Sequence, residues 1–294
     1  MLSALRQWFH RDSPAEPAPV DLLAAAIGPI EPDPAPAAAK SPWPVERMWV
    51  NDALWGDGYV FPGGEIETLR LAKPLGLSAA SSVLLIGAGA GGPACSITTH
   101  FGAWVSGYEA DPDLAVIATE RVLRANLARR VQVETWEPAE PDFPRNYFHH
   151  AMVLEGMRGA QPESFLAAVT SAMKPNGQLV MLDLVAGAPL SADDPFVAAW
   201  ARLERRVSLV LPNERAITRV MGRLGYDVRI VEDLSQRHVH QAMIGWRRMV
   251  QGLEANKPTH RQAAQIVAEA ELWLMRLRLI SDGRLRLIRW HAMG

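Results

Sequence analysis

The chain has 294 residues, 49% of them hydrophobic, enough to bury a sizeable core without requiring two full domains. Thirty Lys and Arg against 32 Asp and Glu leave a formal net charge of −2, so no basic balance points to nucleic acid or an anionic membrane surface, and a small-molecule ligand is the better expectation. The single cysteine, Cys95, excludes an intramolecular disulfide and a cysteine zinc cluster, no uncharged run reaches the ~20 residues of a spanning helix, and no apolar signal core opens the chain, so the expected compartment is the cytoplasm.

In residues 1–12, Leu2, Leu5, Trp8 and Phe9 recur at helical spacing, which predicts a short amphipathic helix. Proline and alanine dominate residues 13–44, broken by one apolar patch at 20–30, and read as an extended linker. The expected division is therefore a tail over 1–42 and a folded domain over 43–294. That domain opens with a helix over 45–54, the glycine-rich turn Gly56-Asp57-Gly58-Tyr59-Val60-Phe61-Pro62-Gly63-Gly64, and a second helix from about Gly64. After Pro74, apolar strands alternate with amphipathic helices, the mark of a parallel sheet covered on both faces. Strands are predicted at 82–86, 104–109, 131–135, 150–154, 178–183, 226–231 and 285–290, with helices between them at 92–100, 112–127, 162–173 and 213–224. Asp193-Asp194-Pro195 reads as a further helix start, and two long helices over 235–253 and 261–280 form an insertion before the last strand. The fold class is α/β: a Rossmann-like, seven-stranded, mostly parallel sheet with helices on both faces.

Val83-Leu84-Leu85-Ile86-Gly87-Ala88-Gly89-Ala90-Gly91-Gly92 is a buried strand entering a glycine turn and then a helix. Glycines let the chain turn sharply and let a ligand approach main-chain N–H groups. The next strand ends in Glu109, 22 positions after Gly87, where a carboxylate can accept both hydroxyls of a ribose. Gly87, Gly89 and Gly92 also satisfy the spacing of dinucleotide sites, so an NAD or FAD enzyme stays open. Against it, the strand-helix pattern runs on to seven strands and leaves no separate catalytic domain.

The order of motifs from Trp49 onward resembles class I S-adenosylmethionine-dependent methyltransferases: glycine loop, ribose acid, Glu137 after the third strand, Phe148 opening the fourth, and Met173-Lys174-Pro175-Asn176-Gly177 before the fifth. Residues 56–64 and the C-terminal segment 282–292 are similar to the lid and closing strand of the phosphoethanolamine N-methyltransferase group. The resemblance implies S-adenosylmethionine as cofactor, bound by Gly87, Gly89, Gly91 and Glu109, with Glu137 at the adenine amine. It also implies a lid over 55–64 with Tyr59 facing the methyl group, and a small-molecule acceptor such as an amine. The sequence departs from that pattern at Leu85 and His149, where many family members carry acids, and in residues 155–161, which hold no histidine. The tyrosines expected at 205–210 are also absent. These departures keep a second reading open, a methyltransferase-like module that binds cofactor or partner without catalysis.

Tyr59, Glu155 and His149 are the proton acceptors expected near the mouth. His238 and His240, two apart on a helix, share no face and lack an Asp or Cys at ligand spacing, so they read as structural or surface residues with no metal. Arg276, Arg278, Arg284, Arg286 and Arg289 read as the polar side of an exposed strand and its approach.

Overall fold

Successive residues of the first strand feed two different cores. In β1 (Ser82–Ile86), Val83 and Leu85 enter one hydrophobic cluster while Leu84 and Ile86 enter another, as the two-residue period of a strand buried on both faces demands. The first cluster is completed by α2 (Gly64–Ala72), α3 (Gly92–Phe101), α4 (Pro112–Arg124), α6 (Pro195–Leu203) and α9 (His260–Ser281). The second is completed by α5 (Pro162–Ala172) and α7 (Glu214–Arg223). Helices therefore cover both faces of the sheet.

This computed structural model describes residues 41–206 and 208–294; the helix expected over residues 1–12, and the linker up to residue 40, lie outside the described residues. Trp43–Gly294 is one compact unit. With β2 (Trp104–Glu109), β3 (Val131–Thr135), β4 (Phe148–Leu154), β5 (Met173–Ala186), β6 (Asp227–Asp233) and β7 (Leu285–Met293), the sheet has the order β3-β2-β1-β4-β5-β7-β6. All pairings are parallel except those of β7, which runs antiparallel to both β5 and β6. Chain order reverses direction between β1 and β4, which opens the crevice at the carboxyl ends of the strands where ligands of such sheets bind.

Four strands exceed their predicted lengths, β6 by a single residue. β4 starts at Phe148, and β5 starts at Met173 because the turn residues 174–177 sit in an irregularity of the β4–β5 ladder, with Asn176 at φ +63°, rather than ending the strand. β7 continues to Met293 by pairing with both neighbours. Asp194 starts a helix as expected, accepting from the amides of Phe196 and Val197, and Asp111 caps α4 in the same way, accepting from those of Asp113 and Leu114.

The insertion places one helix over the carboxyl edge. α8 (Ser235–Ala255) packs so closely on α1 (Val45–Trp55) that a Cβ at Gly245 would lie 2.5 Å from the Trp55 ring. Trp55 meets Trp273 of α9 edge-on at 4.9 Å, and His238 of α8 lies 5.7 Å from the same Trp273 ring.

Candidate functional site

The glycine loop is locked by its backbone. Gly87, Gly89 and Gly91 have φ of +80°, +57° and +92°, a region that side chains rarely occupy. A Cβ at Gly87 would stand 2.0 Å from the Leu154 carbonyl at the end of β4, so only glycine lets the chain leaving β1 lie this close to β4. The Gly87 amide donates to the Tyr108 carbonyl at 2.9 Å, tying the loop to β2.

Glu109, at the end of β2, lies against this loop. Its Oε2 accepts the Gly89 amide at 2.7 Å and its Oε1 accepts the Asp111 amide at 3.1 Å. Burial, to 9% exposure, pushes the carboxyl up to about 7 despite those two donors. Glu137, two residues beyond β3, is exposed and accepts the Ala139 amide at 3.1 Å. Between them in chain order, Trp136 is buried against Phe143 and Phe165, at 5.6 Å from each ring.

The glycine-rich connector between α1 and α2 is docked on the loop. The Gly92 amide donates to the Gly58 carbonyl at 3.0 Å, and Val60 packs with Ala90 and Leu114. Arg121 of α4 fastens both pieces: its Nε donates to the Ala90 carbonyl at 2.9 Å, and its guanidinium pairs with Asp57 and, at 3.6 Å, with Asp52. Tyr59 is only 4% exposed, and its hydroxyl is bonded to Ser96 of α3 rather than presented as a free base. Burial, the largest influence, raises that phenol further above its ordinary range.

Beyond Leu154, on the β4–β5–β7 side of the crevice, is a cavity of about 310 Å³ counting its open mouth. Phe61 and Pro62 cover it, Leu182, Leu234 and Leu287 give apolar wall, and Glu67, Glu155, Arg237, His238 and Gln241 give polar wall. Glu155, at φ +51°, pairs with Arg276 of α9, and Arg276 Nη1 reaches Glu204 Oε1 at 3.1 Å. Burial opposes the charge of Arg276, but Glu155 and Glu204 outweigh it and hold the guanidinium protonated. Asp183, fully enclosed, accepts the Met157 and Leu184 amides at 2.9 Å each, and burial pushes its carboxyl up to about 7.

Two expectations are corrected. His149 is not at the mouth: its Nδ1 lies 2.8 Å from Ser82 Oγ, at the start of β1 and the opposite edge of the sheet, with Lys174 Nζ 3.3 Å from Nε2. The arginines of the closing strand are not a solvated row, because Arg286 pairs with Asp233 and Glu214, Arg289 with Glu232, and Arg284 with Asp194. Of the two alternatives read for His238, structural or surface, the structural one holds: it is 6% exposed, and its Nε2 is buried without a hydrogen-bond partner among the described residues. Its burial was legible in the spacing of Leu234, His238, Ala242, Trp246 and Met249, one face of a helix.

The overlay with known structures decides the fold. Phosphoethanolamine N-methyltransferase 2 of Haemonchus contortus, solved with phosphomonomethylethanolamine and S-adenosylhomocysteine, superposes with a TM-score of 0.72 at 20% identity over 84% of this chain and 56% of that one. The chain has the class I methyltransferase fold. A putative sarcosine dimethylglycine methyltransferase from Galdieria sulphuraria shares this methyltransferase fold with a TM-score of 0.67 at 13% identity, over 85% of this chain and 98% of that one. By sequence, the phosphoethanolamine N-methyltransferase of Plasmodium falciparum is 26% identical over 154 residues, 51% of this chain and 57% of that protein. The chain thus spans little more than half the length of the phosphoethanolamine methyltransferases it matches. No protein-family model matches it.

Proposed function

We propose that this chain is an S-adenosylmethionine-dependent methyltransferase acting on a small amine, working in the cytoplasm. The observation that carries the reading is the buried Glu109 carboxylate bonded to Gly89, beside a turn where a Cβ would strike the neighbouring strand. That pairing fits an adenosine group: each carboxylate oxygen has a lone pair left for a ribose hydroxyl, and the glycines leave main chain bare beside it. Gly87, Gly89, Gly91 and Glu109 would hold the cofactor, with Glu137 at the adenine. S-adenosylmethionine supplies a methyl group on a sulfonium.

The residues of this chain then orient the acceptor and exclude water. Phe61 and Pro62 roof the acceptor cavity, and Arg121 pins the connector that carries them to the glycine loop. Such positioning in a dry site is the main contribution a protein makes to methyl transfer. Calorimetric titration with S-adenosylhomocysteine tests the reading: saturable binding, weakened in Glu109→Ala, supports it, and no heat up to millimolar ligand removes it. Mass spectrometry after incubation with S-adenosylmethionine and a metabolite extract then identifies the acceptor.

A further inference from the structure

The turn that follows β4 is held in a shape its own residues would not choose. Glu155 sits at φ +51°, in the left-handed region that side chains rarely occupy, and a Cβ at Gly156 would stand 2.7 Å from the side chain of Ile86, where β1 enters the glycine loop. A strained residue of this kind persists only where its surroundings over-determine it, and such residues gather at functional sites. Two bonds to β5 supply the constraint: the Glu155 amide donates to the Leu182 carbonyl at 2.7 Å, and the Met157 amide donates to Asp183 Oδ2 at 2.9 Å. Glu155 and Leu182 both line the cavity under Phe61 and Pro62. Asp183 belongs to the other face of β5, alternating with Leu182 and sharing its side with Met181 and Val185 of the apolar cluster that also holds Met157. A carboxyl enclosed there is costly to bury, and the amides of Met157 and Leu184 are its hydrogen-bond donors among the described residues.

We propose that Asp183 is a positioning residue of this site: from behind the cavity wall it fixes the turn 155–157, so that the acceptor meets a preformed surface at Glu155. The inference deepens the methyltransferase reading and rests on it for the word acceptor. Each carboxyl oxygen takes one amide, Oδ2 that of Met157 and Oδ1 that of Leu184 at 2.9 Å, so a single side chain ties the turn to the strand beside it. An ionised carboxyl accepts at both oxygens, whereas the amide of asparagine carries NH2 in place of one of them and sets two donors against each other. Release of Met157 lets Glu155 relax from φ +51° and carry its pairing with Arg276 out of place in the wall. Burial, the largest influence, pushes the Asp183 carboxyl up to about 7; of the charged groups facing it, Glu155 after β4 adds to the rise and Arg206 after α6 opposes it. The hold on Met157 therefore strengthens as pH rises through neutrality.

The test uses the full chain labelled with 15N-methionine. Met157→Leu assigns the Met157 amide among the 11 methionines, and Met152 of β4 and Met181 of β5 serve as references. The expected result is a Met157 signal that titrates with a midpoint of about 7 and moves further than either reference, a response that Asp183→Asn abolishes. Initial rates of methyl transfer from labelled S-adenosylmethionine, held saturating, are then measured across dilutions of a metabolite extract. Asp183→Asn should require about tenfold more extract for half its maximal rate, as misplacement of a binding surface predicts, with the maximal rate and the affinity for S-adenosylhomocysteine close to wild type. A Met157 signal that does not titrate, an unchanged extract requirement, or equal losses in maximal rate and cofactor affinity overturns the inference. If Asp183→Asn does not fold, the wild-type Met157 titration decides alone, in the same two directions. Absence of both S-adenosylhomocysteine binding and methyl transfer in the wild type removes the methyltransferase reading, while the Met157 signal still decides whether Asp183 holds the turn.

Discussion

Glu109 Oε2 accepts the Gly89 amide at 2.7 Å, joining the tip of β2 to the middle of the glycine loop. Because burial pushes this carboxyl up to about 7, it is largely protonated below that pH in the free protein. A ribose hydroxyl donates best to the ionised form, so the affinity for S-adenosylhomocysteine should rise between pH 6 and pH 8. Below pH 7 the change should approach tenfold per pH unit. Glu109→Gln should lose about 1.5–3 kcal/mol of binding at pH 8 and flatten the profile. Calorimetry across that range reads both effects, and a wild-type affinity independent of pH would remove Glu109 from the ribose.

The same burial makes stability depend on pH. Glu109 and Asp183 both titrate near 7 in the folded protein, against ordinary values of 4.5 and 3.8. Their contribution is fully present below the lower values and is lost as pH rises toward 7. His238, lowered by burial, works in the opposite sense and is stabilising only above the ordinary imidazole value of 6.5. Because His150 and His291 are lowered by burial as well, the carboxyl contribution is isolated by comparing urea unfolding of the wild type with that of a variant lacking the titrating acid. Glu109→Gln should gain on wild type by about 2–3 kcal/mol between pH 5 and pH 8. Parallel curves for the two proteins would mean that Glu109 is solvated.

Much of this was legible before any coordinates. The runs at 82–86 and 104–109 match β1 and β2 because apolar strands bounded by turn residues leave little choice of register, and 131–135 matches edge strand β3 through the alternation of Val131 and Val133 with polar residues. Glu109 was legible for the same reason, lying at a strand tip a fixed distance past Gly87. What was not legible depends on elements far apart in sequence. Arg276 is buried because Glu155 and Glu204, 121 and 72 residues away, converge on it. His238 reaches the cavity because Gly245 lets α8 settle on Trp55. Tyr59 takes Ser96 as its partner only once the connector is docked on α3. No local spacing encodes those meetings.

Glycine substitutions separate architecture from binding. Gly87→Ala puts a methyl 2.0 Å from the Leu154 carbonyl at φ +80°, where neither backbone can yield, and should cost about 4 kcal/mol or more. Gly89→Ala meets only the tip of Val60 at 3.0 Å and should cost the left-handed penalty of about 1–2 kcal/mol. It should still abolish measurable cofactor binding, because the added methyl stands where the bare main chain is offered. Denaturant melts and calorimetry on the two variants distinguish these effects; a normally stable Gly87→Ala would contradict the packing of β1 on β4.

Arg276 is the hub of the buried ion pairs behind the cavity. Removing it as Arg276→Met leaves Glu204, 6% exposed, without its most buried partner and with Arg206 and Arg158 as the remaining cations, and should destabilise the protein by about 3–5 kcal/mol. Neutralising the stranded acid in Arg276→Met/Glu204→Gln should recover part of that loss. Equal melting temperatures for the single and double variants would show that the two charges are not coupled.

Arg121 and Tyr59 should differ in what they control. Arg121→Ala cuts the link from the Ala90 carbonyl to Asp57 and Asp52, so the amides of residues 56–64 should exchange faster and S-adenosylhomocysteine should bind more weakly. Tyr59→Phe removes one hydrogen bond to Ser96, worth about 1 kcal/mol, and Ser96 keeps Glu65 as a partner at 3.3 Å. A phenol raised by burial is a poor source of phenolate, so turnover in Tyr59→Phe should stay within several-fold of wild type once the acceptor is identified. Positioned proton transfer is typically worth about 10²–10⁴-fold. A loss of that size would mean that the hydroxyl leaves Ser96 during the reaction and acts on the acceptor itself, as the resemblance to the phosphoethanolamine group implies. Exchange rates that do not change in Arg121→Ala would likewise show that the connector is held by its own turn, through the Gly58 amide and Asp52 Oδ1 at 2.8 Å, and not by the clamp.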